Sequence, residues 1–193
     1  MKFDIILAGV GGQGVLSLAT IIASAALDEK LYVKQSEVHG MAQRGGAVTA
    51  HLRLASEPIE SDLVPLGSAS LILSLEPLES LRYLEYLSAG GTVVTSTEPV
   101  VMGNYPDPAN VLQAIRSLPQ AILVDATALA KRAGLAQATN IVMAGAASRL
   151  LPVSPETIER GIRTRFVRKG QTVVDQNLAA FRAGQEVAAC PAR

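Results

Sequence analysis

At 193 residues, 49% of them hydrophobic and 18% charged, the chain is long enough for one well-buried core, too short for two full domains, and too apolar to be disordered. Lys plus Arg equals Asp plus Glu at 17 each, so no net field favours a nucleic acid or an anionic membrane surface, and any anion site must be local. The one cysteine, Cys190, lies three residues from the C-terminus, which excludes an internal disulfide and the thiolate set of an ordinary iron-sulfur cluster.

Asp4 to Val10 is an apolar run that reads as a strand, followed by the glycine turn Gly9-Val10-Gly11-Gly12-Gln13-Gly14 and a helix from Val15 to Leu27. Leu31–Val38 and Ala47–Ala55 alternate as two further strands. The polar, glycine-rich stretch between them, His39 to Gly46, is too elaborate for a tight hairpin. Ser70–Glu76 reads as a buried strand, Pro77–Leu87 as a helix with proline in its first turn, and Thr92–Ser96 as the next strand after Gly90-Gly91. A loop rich in proline and glycine spans Glu98 to Asp107, and Asp107 can cap a helix over Pro108–Leu118. Ala121–Ala126 is a short strand and Thr127–Ala133 a helix stopped by Gly134. From about residue 139 strands give way to helices: an apolar one over Asn140–Leu151, one capped at Ser154 and running to about Phe166, and a last one over Thr172–Ala189.

This order predicts an α/β fold: a single Rossmann-like domain over 1–193, with a mostly parallel sheet flanked by helices and a helical C-terminal tail. No segment reaches the ~20 uninterrupted apolar residues of a membrane span, so no membrane partner and a cytoplasmic location are expected. Some of the apolar surface is expected to be a subunit interface, and the isolated chain to self-associate.

Gly9, Gly11 and Gly14 fit the G-x-G-x-x-G pattern. There glycines permit a tight turn, close approach of backbone to an anion, and close packing of helix on strand. With Gly12 and Gln13 between them, they point the free N–H groups of the next helix at a phosphate or pyrophosphate; a glycine turn also serves packing with no ligand. Arg44, Gly45 and Gly46 offer a second anion contact, since a guanidinium pairs with phosphate through parallel hydrogen bonds. Glu37, 23 residues after Gly14, is spaced to hold the ribose of a nicotinamide dinucleotide, and equally to form a salt bridge. His39 and His51 have no second ligand at metal-binding spacing, so no metal site is expected. Glu76 ends a strand where open sheets place functional groups, or caps the next helix; Tyr83 and Tyr86 read as core or interface. None of these groups is assigned a catalytic role.

GVGGQG at Gly9–Gly14, SEVHGMAQRGGAV at Ser36–Val48, SLEPLESLR at Ser74–Arg82 and VVDQNLAAFRAG at Val173–Gly184 occur in this order. Together they resemble the gamma-type subunit of 2-oxoacid:ferredoxin oxidoreductases, and within that family the beta subunits of indolepyruvate:ferredoxin oxidoreductases. The resemblance implies a pyruvate/ketoisovalerate oxidoreductase gamma-type domain in an enzyme that decarboxylates an aryl 2-oxoacid oxidatively, gives the acyl group to coenzyme A and passes electrons to ferredoxin. It places thiamine diphosphate, Mg and the iron-sulfur clusters in a large partner subunit. This chain is then expected to be inactive alone and to present Gly9–Gly14 and Arg44–Gly46 to coenzyme A. A free-standing NAD(P)-binding oxidoreductase and a purely structural assembly subunit are the alternatives.

Overall fold

The computed structural model describes residues 1–39 and 45–188; Arg44, Cys190 and the His39 side chain lie outside the described residues. The chain runs β1 (Lys2–Val10), α1 (Val15–Asp28), β2 (Tyr32–His39), β3 (Ala47–Ala55), β4 (Ala69–Ser74), α2 (Pro77–Arg82) and β5 (Leu87–Ser96). It continues through α3 (Pro108–Arg116), β6 (Ala121–Val124), α4 (Ala126–Arg132), α5 (Thr139–Ala147), α6 (Pro155–Phe166) and α7 (Gln171–Ala188). Asp107, Asp125 and Ser154 cap α3, α4 and α6, each side-chain oxygen accepting an N–H from the first turn.

The strands form one mixed sheet in the order β2-β3-β1-β4-β5-β6. The pairings β1–β4, β4–β5 and β5–β6 are parallel, whereas β3 runs antiparallel to both β1 and β2. Alternation along the strands divides the core between the two faces. Ile5, Leu7, Leu71, Leu73 and Val94 join the large cluster under α1, α5, α6 and α7, while Ile6, Ile72 and Val93 face a smaller cluster with Val64 and Ala69. The expected helical tail is therefore no appendage: every residue of α5 from Asn140 to Ala147 is buried, and Phe181 of α7 is wholly enclosed.

The expected helix over Pro77–Leu87 stops at Arg82. A single turn of 3-10 helix at Leu84–Tyr86 follows, and Leu87 already pairs with Ala69 as β5 begins. Gly90 and Gly91 thus lie inside a strand, and a Cβ at Gly91 would stand 2.7 Å from the Ala69 carbonyl oxygen. Tertiary pairing here overrides helical periodicity.

On the smaller-cluster side, Tyr83 hydrogen-bonds Thr49 through their hydroxyls, and Tyr86 meets the His51 ring edge-on at 5.3 Å. The Val64 N–H donates to His51 Nδ1 at 3.0 Å. Burial pushes the His51 pKa down, only partly opposed by Asp62. An unfolded histidine takes up its proton near pH ~6.5 while the folded one resists. His51 is therefore neutral in its effect above that pH and costs stability as pH falls below it. Urea denaturation over this range should show stability declining on acidification, and His51→Gln should flatten that part of the profile.

Candidate functional site

The connections leave the adjacent parallel strands β1 and β4 in opposite directions, from β1 through α1 toward β2 and β3 and from β4 through α2 toward β5. Their carboxyl ends flank a topological switch point, where open α/β sheets hold ligands. The glycine turn occupies one lip of that crevice. Gly12 and Gly14 adopt φ of 102° and 89°, a left-handed backbone that other residues resist. A Cβ at Gly14 would also lie 2.6 Å from Asn140 Nδ2, and one at Gly9 2.8 Å from Val15 Cγ2, whereas Gly12 faces open space. Gly9 and Gly14 are thus needed for packing whatever else the turn does.

The structure brings the two glycine segments into contact. The Gly11 N–H donates to Gly46 O at 2.8 Å, and the Gly45 N–H donates to Gly11 O at 3.5 Å, so the β1–β3 ladder runs one step into the loop. Gln13 turns the other way. Its Oε1 accepts from the Val10 N–H at 2.8 Å and its Nε2 donates to Leu75 O at 3.0 Å, stitching β1 to the end of β4. Its carboxamide is a latch across the switch point.

α1 begins at Gly14 with no side-chain cap and no acid in its first turn. Its first N–H groups therefore carry the unopposed positive end of the helix. A cavity of about 280 Å³ opens over them, lined by Val10, Gly11, Gly12, Gly14, Ser17 and Val48 among others. On the α2 side of Val10 lies a second cavity of about 300 Å³, lined by Gly45, Glu76, Glu79, Arg82 and Tyr105 among others.

Glu76 is fully engaged there. Its Oε2 accepts the Glu79 N–H at 2.9 Å as the cap of α2, while Oε1 accepts the Val100 N–H at 3.3 Å and the Tyr105 hydroxyl at 2.5 Å. Burial and the Glu76 carboxylate push the Tyr105 pKa upward, which keeps the phenol a donor. This one carboxylate ties the 98–107 loop to the start of α2. Burial also raises the Glu79 pKa, against the Arg82 guanidinium 2.9 Å away.

Glu37 is exposed on β2 opposite Ala50, which in turn faces Leu7 of β1. Antiparallel β3 stands where a dinucleotide fold has its second parallel strand, so the acid is held one strand too far from the turn. Sequence reading missed Arg165 of α6, whose Nη2 donates to Ser17 Oγ at 3.0 Å in the first turn of α1. No local signal links residues 148 positions apart. Among the described residues, no helix is long and apolar enough to cross a membrane.

The profile of the pyruvate ferredoxin/flavodoxin oxidoreductase family matches residues 4–187. Indolepyruvate oxidoreductase subunit IorB of Archaeoglobus fulgidus is 36% identical over 194 residues, covering 95% of this chain and 94% of that one. The gamma subunit of a keto/oxoacid ferredoxin oxidoreductase from Geobacter sulfurreducens superposes with a TM-score of 0.74 at 25% identity, over 98% of this chain and 97% of its own. A 2-oxoglutarate:ferredoxin oxidoreductase from Magnetococcus marinus, solved with 2-oxoglutarate, coenzyme A and succinyl-CoA, superposes with a TM-score of 0.78 at 23% identity. That likeness of fold covers 97% of this chain but 31% of the longer one. With the family profile spanning nearly its whole length, the chain belongs to the pyruvate ferredoxin/flavodoxin oxidoreductase family, as a gamma-type subunit of the 2-oxoacid:ferredoxin oxidoreductases.

Proposed function

We propose that this subunit forms the coenzyme A side of a composite site in a thiamine-diphosphate-dependent complex. The complex oxidatively decarboxylates an aryl 2-oxoacid such as indolepyruvate in the cytoplasm and passes electrons to ferredoxin. A large partner subunit carries thiamine diphosphate, Mg and the iron-sulfur clusters, and the isolated chain is inactive. The aryl preference is drawn from the IorB relatives.

The observation that carries the reading is the uncapped first turn of α1, which follows a glycine turn whose Gly11 is held by backbone hydrogen bonds against Gly45-Gly46 at the switch point. A diphosphate fits this arrangement, since helix N–H groups and dipole favour anions there. Arg44, next to Gly45 in the chain, supplies the guanidinium. Calorimetric titration of coenzyme A into the assembled complex should give an affinity about tenfold weaker for Arg44→Ala, one charge-assisted pair being lost. Unchanged affinity together with unchanged acyl transfer would overturn the assignment.

A purely structural role has one specific observation in its favour, the packing demand at Gly9 and Gly14. Under that reading Gly11→Val harms assembly and leaves the coenzyme A affinity of the assembled complex untouched.

A further inference from the structure

The strand order leaves β2 and β6 as the edges of the sheet. An edge strand carries a row of unpaired N–H and C=O groups, which folded chains blunt by shortness, by proline or by a bulge. β6 is only four residues long. β2 has eight residues, holds no proline or glycine, and pairs with β3 residue for residue, from Tyr32 with Ala55 to His39 with Val48, without a break in register. Among the described residues no strand covers its outer side.

Alternation along β2 decides which side chains this edge offers. Val33 turns to the large cluster on the α1 side. Tyr32, Lys34, Ser36 and Val38 share the opposite face, in register with Ala55, Arg53, His51 and Thr49 of β3. Tyr32 and Val38 are 49% and 61% exposed there, and Lys34 is exposed between them. Both ends of the edge are therefore apolar on this face, and its middle holds one ammonium beside the Ser36 hydroxyl.

That pattern is complementary to itself. Two copies of β2 that pair antiparallel about a two-fold axis perpendicular to the sheet bring like faces together, and the axis passes through one residue of each strand. An axis at Gln35 pairs Tyr32 with Val38 of the second copy, Val38 with its Tyr32, and each Lys34 with Ser36. An axis at Lys34 or at Glu37 sets like charges directly opposite each other, which is unfavourable. One at Ser36 carries Tyr32 past the end of the facing strand and sets Lys34 against Val38. We infer that a second copy of this chain adds to the β2 edge with the axis at Gln35, joining two six-stranded sheets into one. Facing aromatic and β-branched side chains favour strand pairing, and this register supplies such a pair twice. The match of both ends in one register is what selects a second copy over an unrelated strand. The inference is independent of the coenzyme A reading.

The test is analytical ultracentrifugation of the full chain over a range of about 1 to 100 μM, where a small specific interface associates. Wild type should pass from monomer to dimer. Ser36→Lys sets an ammonium opposite Lys34 of the second copy, twice over, and should weaken the dimer by about tenfold. Ser36→Glu sets a carboxylate there and should tighten it by a similar factor, whereas with an axis at Ser36 the two carboxylates would meet and weaken it. Adding Lys34→Glu to Ser36→Lys restores opposite charges across the axis. That double variant should recover the wild-type affinity or better, which separates a lost contact from a misfolded chain. A wild-type chain that stays monomeric, or Ser36 variants that leave the dimer unchanged, would overturn the inference. Loss of binding to the proposed large subunit on Ser36→Lys, with the chain itself monomeric, would overturn it in favour of that subunit at this edge.

Discussion

Gly145→Ala is expected to destabilise the fold by about 3 kcal/mol or more, at the upper end of overpacking costs. Gly145 of α5 and Gly184 of α7 sit at the crossing of the two helices, each against the backbone of the other. A Cβ at Gly145 would lie 1.9 Å from Phe181 O, and one at Gly184 would lie 2.0 Å from Val142 O. Neither obstacle is a side chain that can swing aside. One methyl group must push two buried helices apart along a core that contains Ile141, Val142, Met143, Leu178 and Phe181. Gly161 of α6 is the control, because its Cβ would meet only Ile21 O at 3.9 Å. There alanine should stabilise by up to about 1 kcal/mol through helix propensity. Urea denaturation of both variants decides the matter, and a Gly145→Ala midpoint near that of wild type would refute the close approach.

Arg53→Met is expected to cost about 3 kcal/mol or more, because removing one member of a buried ion pair strands the other. Arg53 and Asp4 are 6% and 2% exposed on adjacent strands β3 and β1. Arg53 Nε donates to Asp4 Oδ1 at 2.9 Å and its Nη2 to Oδ2 at 3.3 Å, while Nη1 donates to the carbonyls of Ser61 and Leu63, each at 3.0 Å. The guanidinium thus holds a carboxylate and pins the segment after β3. Among the described residues, methionine would leave Asp4 only Lys2, 3.4 Å away on an exposed stem, and would release two carbonyls. Adding Asp4→Leu should recover part of the loss, since an apolar pair no longer buries a lone charge. A single-variant loss below about 1 kcal/mol, the range of a surface ion pair, would contradict this account.

How much of this was legible in the chain depended on whether the signal was local. Asp107 and Ser154 each stand directly before a helix whose first turn they cap, and the chemistry of capping needs no distant partner; Asp125, expected inside a strand that ran to Ala126, caps α4 in the same way. The glycine turn was legible for the same reason, as strand, positive-φ turn and helix follow within a dozen or so residues. Pairing order was not. Nothing in Ala47–Ala55 says that it slips antiparallel between β1 and β2, because strand neighbours are chosen by the sheet as a whole. Gln13 sits inside the motif yet works as a latch, since its partner Leu75 is 62 positions away. Tyr83 shows the same limit: apolar spacing continues helically to Leu87, but the pairing of Leu87 with Ala69 ends the helix early.

The bonds between Gly11 and Gly45-Gly46 set when the entropy of arranging the glycine site is lost. They close the chain from residue 11 to residue 46 into a ring through α1 and β2. Loop-closure entropy grows slowly with length, and here it is lost once, as the sheet assembles. The two glycine segments are thus registered against each other by the β1–β3 ladder in the folded chain itself. Under the proposed function, a diphosphate at the turn need not order that backbone, so more of its interaction energy would appear as affinity. On that proposal, weakening the ladder near Ala47 would lower affinity for the diphosphate without altering the glycine turn itself.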